Sequence, residues 1–155
     1  MKKKLALFSI MVILLLTSCG NSYRYQQIAK GANQKTIEDT MGKAPDDSRE
    51  ESGMTFLEYK ECPYLDYKGT GTYCLTEDAL NYSKWEYASD TTKGAKDAYS
   101  VIKADLQKQY GEGEETTDNG EFWVCSWYIS EDSTVSLTCT TANSEFTVSL
   151  LSTVS

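Results

Sequence analysis

Apolar residues recur at helical spacing in two segments of the chain. In KDAYSVIKADLQKQYG they fall four positions apart and stop before Gly111; they are Ala98, Ile102, Leu106 and Tyr110. In NQKTIEDTMG, Ile37 and Met41 share the same spacing between Asn33, a good N-cap residue, and Gly42. Glycine favours the backbone conformation just past a helix end. The pattern therefore predicts two amphipathic helices, ending at Gly42 and Gly111.

After each predicted helix, apolar and polar positions alternate in three short runs, as in half-buried strands. The second set alternates regularly: FWVCSWYIS carries Trp123, Cys125, Trp127 and Ile129, the next strand carries Val135, Leu137 and Cys139, and the third carries Phe146, Val148 and Leu150. A turn at SEDS would set Ile129 opposite Val135 and Cys125 opposite Cys139. The first set is less regular. It begins with MTFLEYKE, and GTYCLTEDALNYSKWEY supplies its second and third strands with a turn at Glu77-Asp78. In CPYLDYKGTGTYC, a turn around Lys68-Gly69 would set Cys62 opposite Cys74.

The same order of predicted elements therefore occurs twice along the chain: a helix, an acidic loop and three strands. We expect an α+β fold of two tandem helix-plus-three-strand repeats, with the helices packed on an antiparallel sheet. Residues 28–90 would form the first repeat and residues 91–155 the second, together making one compact domain.

The N-terminus has the layout of a secretion signal. Lys2, Lys3 and Lys4 precede the uncharged run LALFSIMVILLL. The next residues, Leu16-Thr17-Ser18-Cys19, resemble the lipobox of bacterial lipoproteins. This resemblance implies that residues 1–18 are a signal peptide, that Cys19 carries diacylglycerol and an N-acyl chain such as palmitate, and that residues 19–27 are a tether. An ordinary signal peptide with a coincidental cysteine is the alternative.

Charge narrows the set of partners. Removal of residues 1–18 takes away three lysines and changes the formal net charge from −8 to −11. An acidic chain lacks the clustered Lys and Arg that nucleic-acid binding requires. We therefore expect no nucleic-acid partner. The expected location is the outside of the cytoplasmic membrane, or the outer membrane of a two-membrane cell, held by lipid.

Cysteine number is odd, with five in the chain. With Cys19 lipidated, the two hairpin registers favour disulfides between Cys62 and Cys74 and between Cys125 and Cys139. Free, buried thiols are the alternative.

Histidine is absent from the sequence, which removes the usual nucleophile and general-base arrangements. Two acidic patches remain, PDDSREES with Asp46, Asp47, Glu50 and Glu51, and GEGEETTDNGE. We expect solvated loops there; calcium binding and carboxylate catalysis are the alternatives. The prediction is a non-enzyme with no cofactor and no metal.

The segment IAKGANQKTIEDTMGKAPDD resembles the small lipoprotein family typified by BamE, also called SmpA/OmlA, and the related tandem β-lactamase inhibitor proteins. Matching positions are Gly31, Ile37, Met41, Gly42 and Pro45, although Pro45 comes one residue late. The resemblance implies helices on an antiparallel sheet whose concave face can bind another protein.

Aromatic residues supply the candidate contacts, with eleven tyrosines and three tryptophans. We expect Phe122, Trp123 and Trp127 in the core or in cross-strand packing. The residues proposed for an exposed binding face are Tyr59, Tyr64, Tyr67, Tyr73, Tyr82, Trp85 and Tyr87. The expected function is a lipid-anchored, non-catalytic module that binds another envelope or extracellular protein. A glycan or small-ligand site using Asp66 and Glu86 is the alternative, and a carboxylate-based hydrolase is the third class.

Overall fold

The computed structural model describes residues 23–154, which form two helices and eight strands. The helices are α1 (Gln34–Met41) and α2 (Thr92–Tyr110). The strands are β1 (Asp47–Glu51), β2 (Met54–Tyr64), β3 (Tyr67–Thr76), β4 (Ala79–Ala88), β5 (Glu114–Asp118), β6 (Phe122–Ser130), β7 (Ser133–Thr140) and β8 (Thr147–Thr153). The predicted signal peptide and lipidation site at Cys19 lie outside the described residues.

Both helices begin and end where their capping residues require. The Asn33 side chain accepts a hydrogen bond from the Thr36 backbone N–H, and Gly42 adopts a left-handed conformation with φ of 73°. Thr91 caps α2 in the same way by accepting from the Gly94 N–H. In the apolar stripe of α2, Ala98, Ile102 and Leu106 are fully buried, and Tyr110 at its end is partly buried. Local sequence therefore sets the helix limits, and burial of one face stabilises them.

The eight strands form one antiparallel sheet in the order β1-β2-β3-β4-β8-β7-β6-β5. The prediction of two tandem helix-plus-three-strand repeats is wrong, because every strand belongs to a single sheet and four strands follow each helix. The two strands that the prediction missed are β1 and β5, whose sequences DSREE and EETTD were interpreted as acidic loops. Every residue in them is exposed, so they show no alternation. Backbone pairing with β2 and β6 makes them strands.

The core lies on one side of the sheet. Inward side chains of the central strands, among them Trp85, Leu137 and Leu150, form a single buried cluster with Ile37 of α1 and Ile102 of α2. We call this helix-covered side the inner face and the opposite side the open face. Antiparallel sheets commonly bury one face and leave the other to solvent.

Both predicted hairpin registers are wrong. Cys125 lies opposite Leu137 and Cys139 opposite Trp123, because the strands are joined by a tight turn and a bulge that removes Ile129 from the ladder. The observed register differs from the predicted one by two residues, which keeps the same side chains on the same face. Alternation alone cannot distinguish two such registers.

In the first half, a bulge between Tyr59 and Cys62 changes the pairing of β2. Cys62 lies opposite Gly69 and belongs to the inner-face cluster. Cys74 lies opposite Phe56 on the open face. Because the two sulfur atoms are on opposite faces of the sheet, the predicted pairing of Cys62 with Cys74 does not occur. All four cysteines in residues 23–154 are unbridged and buried.

The chain before α1 crosses the inner face as an extended segment. The Tyr25 N–H donates to the Pro63 carbonyl oxygen at 2.8 Å, and the Gly31 N–H donates to the Leu80 carbonyl oxygen at 2.8 Å. The Tyr25 side chain is 2% exposed, and its hydroxyl lies 2.8 Å from the Ser83 hydroxyl. Residues 23–27, which were assigned to the tether, are thus packed on the sheet where the structure describes them.

Candidate interaction surfaces

The open face runs across all eight strands, and both helices lie on its opposite side. Serine and threonine occupy most of its central positions, including Thr72, Ser126, Ser136 and Thr138. Three large apolar side chains stand out of this polar surface: Phe122 is 41% exposed, Tyr128 is 68% exposed and Leu151 is 42% exposed. The face therefore offers isolated aromatic and apolar groups among short hydroxyls.

A second apolar cluster occupies the β1–β4 end of the open face. Phe56, Cys74 and Tyr82 lie opposite one another on three neighbouring strands, and the guanidinium of Arg49 stacks 4.7 Å from the Phe56 ring centre. The Cys74 thiol lies 3.7 Å from the Met54 sulfur and is fully buried. Partial burial and the neighbouring Cys74 thiol raise the pKa of Tyr82. This cluster is covered mostly by its own side chains.

An ion pair lies between these two regions. Lys84 pairs with Glu86 at 2.5 Å, and the Ser149 hydroxyl donates to the same carboxylate at 3.0 Å. Burial alone would raise the pKa of Glu86, but the ammonium and the hydroxyl outweigh it and lower that pKa. The carboxylate is thus ionised at neutral pH and already has two partners, which disfavours a role as a catalytic acid.

The structure separates the seven predicted aromatic contacts. Tyr59, Tyr73 and Trp85 are fully buried on the inner face, so the expectation that they form an exposed surface is wrong. Their hydrophobic surface is buried against the helices and the N-terminal segment. Tyr64, Tyr67 and Tyr87 are half-buried against the same core, and Tyr82 is the member that lies on the open face.

The predicted core aromatics divide in a similar way. Trp127 is buried, and its indole N–H donates to the Gly111 carbonyl oxygen at 2.9 Å. Trp123 is partly buried beneath the Lys96 ammonium, which lies 4.5 Å from the ring centre. Phe122 lies opposite Thr140 on the open face and is 41% exposed, so of the two expected roles, core and cross-strand packing, the core role is wrong. The sequence indicates this position, because Phe122 is next to Trp123 and neighbouring strand residues point to opposite faces.

The acidic patches lie at the two edges of the sheet. Asp46 accepts hydrogen bonds from the Lys43 ammonium at 2.6 Å and the Lys60 backbone N–H at 2.8 Å, which lower its pKa. Asp47, Glu50 and Glu51 belong to β1, and Glu114, Glu115 and Asp118 to β5. Within residues 23–154, no three carboxylate or thiol groups converge in a way that could hold a metal ion.

A cleft of about 740 Å³ opens on the helical side of the molecule. It lies between residues 23–27, the β2–β3 turn and the C-terminal half of α2, and its aromatic walls are Tyr23, Tyr25, Tyr64 and Tyr110. The Asp105 carboxylate accepts from Gln109 at 2.7 Å and from the Tyr64 hydroxyl at 3.4 Å. Burial and the nearby Asp105 carboxylate raise the pKa of Tyr64. Asp66, which was proposed for a ligand site, is outside the cleft lining.

The cleft is not evident from the sequence because its walls come from three distant segments. Tyr23 and Tyr25 fall in the predicted tether, and Tyr110 was assigned to the buried face of the helix. The repeated aromatic pattern in SYRY was the available signal. Aromatic walls with amide and carboxylate groups at one end are typical of small-ligand sites.

Within residues 23–154, no helix combines the length and hydropathy that crossing a bilayer requires. No family model, curated protein or solved structure matches this chain. The resemblance to the BamE family thus stays a prediction, and the fold is described by its own topology.

Proposed function

We propose that this protein is an exported lipoprotein, anchored through Cys19, that binds another protein through the open face of its sheet. The basic and apolar start of the chain and the match of residues 16–19 to a lipobox support the anchor. A diacylglycerol and an N-acyl chain together supply enough hydrocarbon for stable membrane attachment. The proposed location is the outside of the cell membrane.

The observation that carries the protein-binding role is the exposure of Phe122, Tyr128 and Leu151 on the open face, which no element of residues 23–154 covers. These side chains lie on β6 and β8, and the residues between them on β7 are small and polar. Aromatic residues are enriched in protein interfaces, where they supply contact area at low entropic cost. Serine and threonine allow close approach and hydrogen bonds through bridging water. The proposed role is non-catalytic, in keeping with a sequence that lacks histidine.

The cleft favours a second candidate function, binding of a glycan or another small polar ligand. Its tyrosine rings offer flat apolar surfaces for the C–H faces of a sugar, and Asp105 and Gln109 offer polar groups for hydroxyls. A carboxylate-based hydrolase remains the third candidate. It requires two carboxyl groups facing each other across a bound sugar.

The protein-binding proposal is tested by cross-linking the lipidated protein in intact cells of its source, followed by purification and quantification of the captured proteins. We expect one stoichiometric partner with the unaltered protein. Changing Phe122, Tyr128 and Leu151 to serine should abolish its capture. The matched control is Val101→Ser on α2, an apolar residue that is 45% exposed on the other side of the molecule.

Equal capture by the triple variant would exclude the open face as the binding surface. Glycan-array binding that is lost in a Tyr110→Phe, Gln109→Ala variant and retained in the open-face variant would favour the cleft instead. The anchor is tested separately: Cys19→Ala should move the protein from the membrane to the soluble fraction, and membrane retention of this variant would refute the lipid anchor.

A further inference from the structure

We infer that the anchored molecule meets the bilayer with the corner around Tyr23 and turns its acidic β5–β8 half away from the lipid. This inference rests on the lipid anchor proposed above. It concerns a surface whose partner is the membrane itself, on a different part of the molecule from the open-face residues of β6 and β8. Three observations carry it: the reach of the chain, the dimensions of the sheet and the distribution of charge.

The first observation is that the fold begins close to the anchoring residue. Cys19 precedes Tyr23 by four residues. An extended chain spans at most about 3.6 Å per residue, so the two Cα atoms lie within about 14 Å whatever conformation the intervening residues adopt. A lipid on Cys19 therefore holds Tyr23 near the headgroups.

Tyr23 is itself firmly attached to the sheet. Its hydroxyl donates to the Lys60 carbonyl oxygen at 2.7 Å, and the Lys43 ammonium lies 4.7 Å from its ring centre. Two residues later, Tyr25 is buried and bonded through its backbone to Pro63. The corner formed by Tyr23, Lys60 and the β2–β3 turn thus moves with the fold, and its distance from the bilayer is limited by the short connection.

The second observation is that the sheet is large compared with this reach. The row of residues that starts at Tyr59 on β2 passes through Trp85 on β4 and ends at Cys125 on β6. Five strand spacings separate β2 from β6, which amounts to about 24 Å, and the turn at Glu131 lies six residues beyond Cys125, a further distance of about 20 Å along the strand. Tyr59, next to Lys60 in the first corner, and the turn at Glu131 are therefore about 30 Å apart. A short connection at one corner allows the other to point outward.

The third observation is an unequal distribution of charge. Residues 109–155, which include β5–β8, contain eight Asp or Glu residues and no Lys or Arg. Lys103 of α2 pairs with Glu115 and Lys96 lies over Trp123, so this half keeps an excess of negative charge that the nearby lysines only partly offset. In the corner near Tyr23, by contrast, four basic residues stand beside five acids, so the two charges nearly balance. The basic residues are Arg24, Lys43, Lys60 and Lys68, and the acids are Asp46, Glu58, Glu61, Asp66 and Asp105. Anionic lipid headgroups repel negative charge within a Debye length of the surface. The corner that the chain holds near the lipid is thus the one that anionic headgroups repel less strongly.

The experiment compares two matched label positions on the full lipidated protein. Asp66→Cys in the β2–β3 turn and Asp132→Cys in the β6–β7 turn each replace one exposed aspartate with a labelling site. Each variant is labelled with a donor fluorophore and reconstituted in phosphatidylcholine and phosphatidylglycerol vesicles that contain a trace of headgroup-labelled acceptor lipid. The parent protein, whose four described thiols are buried, measures background labelling.

We expect severalfold stronger energy transfer to the lipid from the label at position 66 than from the label at position 132. A flexible Gly/Ser insertion directly before Tyr23 should reduce this difference, because it releases the corner from the surface. Equal transfer from both positions, or a difference that the insertion leaves unchanged, would overturn the inference.

Membrane fractionation of the same preparations, with Cys19→Ala as control, keeps the two proposals apart. If the lipidated protein is membrane-bound but both labels transfer energy equally, the orientation is refuted and the anchor stands. If the unaltered protein fails to associate with vesicles, the anchor is refuted and the orientation fails with it.

Discussion

The Trp85 indole N–H donates a 2.8 Å hydrogen bond to the backbone carbonyl oxygen of Cys62 inside the core. The bulge between Tyr59 and Cys62 interrupts the β2–β3 ladder at this point, and the indole on β4 supplies a donor. Trp85 thus joins three strands, which explains why so large a residue is fully buried at the centre of the sheet.

Replacing Trp85 with phenylalanine should lower the free energy of unfolding by about 2–4 kcal/mol, because the change leaves a buried carbonyl unpaired and removes aromatic volume. Urea unfolding followed by circular dichroism measures the loss. Tyr128→Phe, at an exposed position, is the control and should change the stability by less than about 0.5 kcal/mol. Similar stabilities of the two variants would contradict the role of this hydrogen bond.

Gly69 allows β3 to approach β4 closely. A Cβ atom at this position would lie 2.3 Å from the Glu86 carbonyl oxygen and 2.7 Å from the Trp85 ring. Gly69→Ala should therefore destabilise the fold by about 3 kcal/mol or more, since backbone atoms must move. At Gly71, the corresponding contacts are 3.3 Å and longer, so Gly71→Ala should cost less. The reverse order of melting temperatures would show that the strands separate more easily than the geometry indicates.

Tyr59 and Tyr25 both have buried hydroxyls, and removing the two hydroxyls should change the free energy of unfolding in opposite directions. Within residues 23–154, the Tyr59 hydroxyl has no hydrogen-bond partner, whereas the Tyr25 hydroxyl pairs with Ser83. Tyr59→Phe should leave stability unchanged or raise it by about 1 kcal/mol, and Tyr25→Phe should lower it by about 1–2 kcal/mol. Chemical denaturation of both variants provides the comparison. A clear loss of stability in Tyr59→Phe would indicate that its hydroxyl has a partner in solution.

Alkaline pH should destabilise the protein through its buried thiols. Burial raises the pKa of Cys62 from 9.0 to about 11, and burial likewise raises that of Cys139 to about 11. The unfolded chain loses these protons first, so their contribution to stability is complete below about pH 9 and is lost as the pH rises to about 11. Buried tyrosines such as Tyr73, whose pKa burial also raises, act in the same direction at higher pH.

Urea unfolding at a series of pH values tests this expectation. A Cys62→Ala, Cys139→Ala variant is the control and should show a shallower decline between about pH 9 and 11, whatever its stability at neutral pH. An unfolding free energy that stays constant across this interval in the unaltered protein would be incompatible with neutral, buried thiols.

The acidic edge strand β5 should prevent edge-to-edge association. Its outer backbone groups are unpaired within the described sheet, where β5 is the last strand, and Glu114 and Asp118 are exposed. Charges on edge strands oppose pairing with another chain. Glu114→Thr with Asp118→Thr should therefore cause concentration-dependent self-association in analytical ultracentrifugation. Glu131→Thr with Asp132→Thr, at a turn, removes the same charge and should leave the protein monomeric.

Local sequence predicts the helices because their determinants are local. Asn33 and Gly42 bound α1, and the four-residue spacing of Ile102 and Leu106 marks the buried side of α2. The strand registers depend on the bulges near Tyr59 and Ile129. The first bulge places Tyr59 and Cys62 on the same face although they are three residues apart, so alternation gives the wrong face for the residues that follow it. The second shifts the pairing by two residues and leaves the alternation of β6 and β7 unchanged, so the sequence does not reveal it. The edge strands β1 and β5 are not predicted from the sequence because they are defined by backbone pairing with a neighbouring strand and not by side-chain burial.

The candidate surfaces depend even more strongly on long-range arrangement. Aromatic content does not show which tyrosines are exposed, because strands place alternate residues on opposite faces. Tyr73 is buried on the inner face, whereas Tyr82 lies on the open face. The cleft requires the N-terminal segment to lie beside α2, a contact between Gln27 and Tyr110 that no local pattern encodes.

The pairing of β4 with β8 has a consequence for the order in which the protein can fold. These strands, which meet at Ser83 and Ser152, join the two halves of the sheet. In the proposed export from the N-terminus, β4 emerges first, and its edge facing β8 remains unpaired until β8 follows. Completion of the ladder requires closure of a long loop, which is a slow event in folding. Between the emergence of β4 and the arrival of β8, this protein is therefore most prone to aggregate and most accessible to extracytoplasmic chaperones.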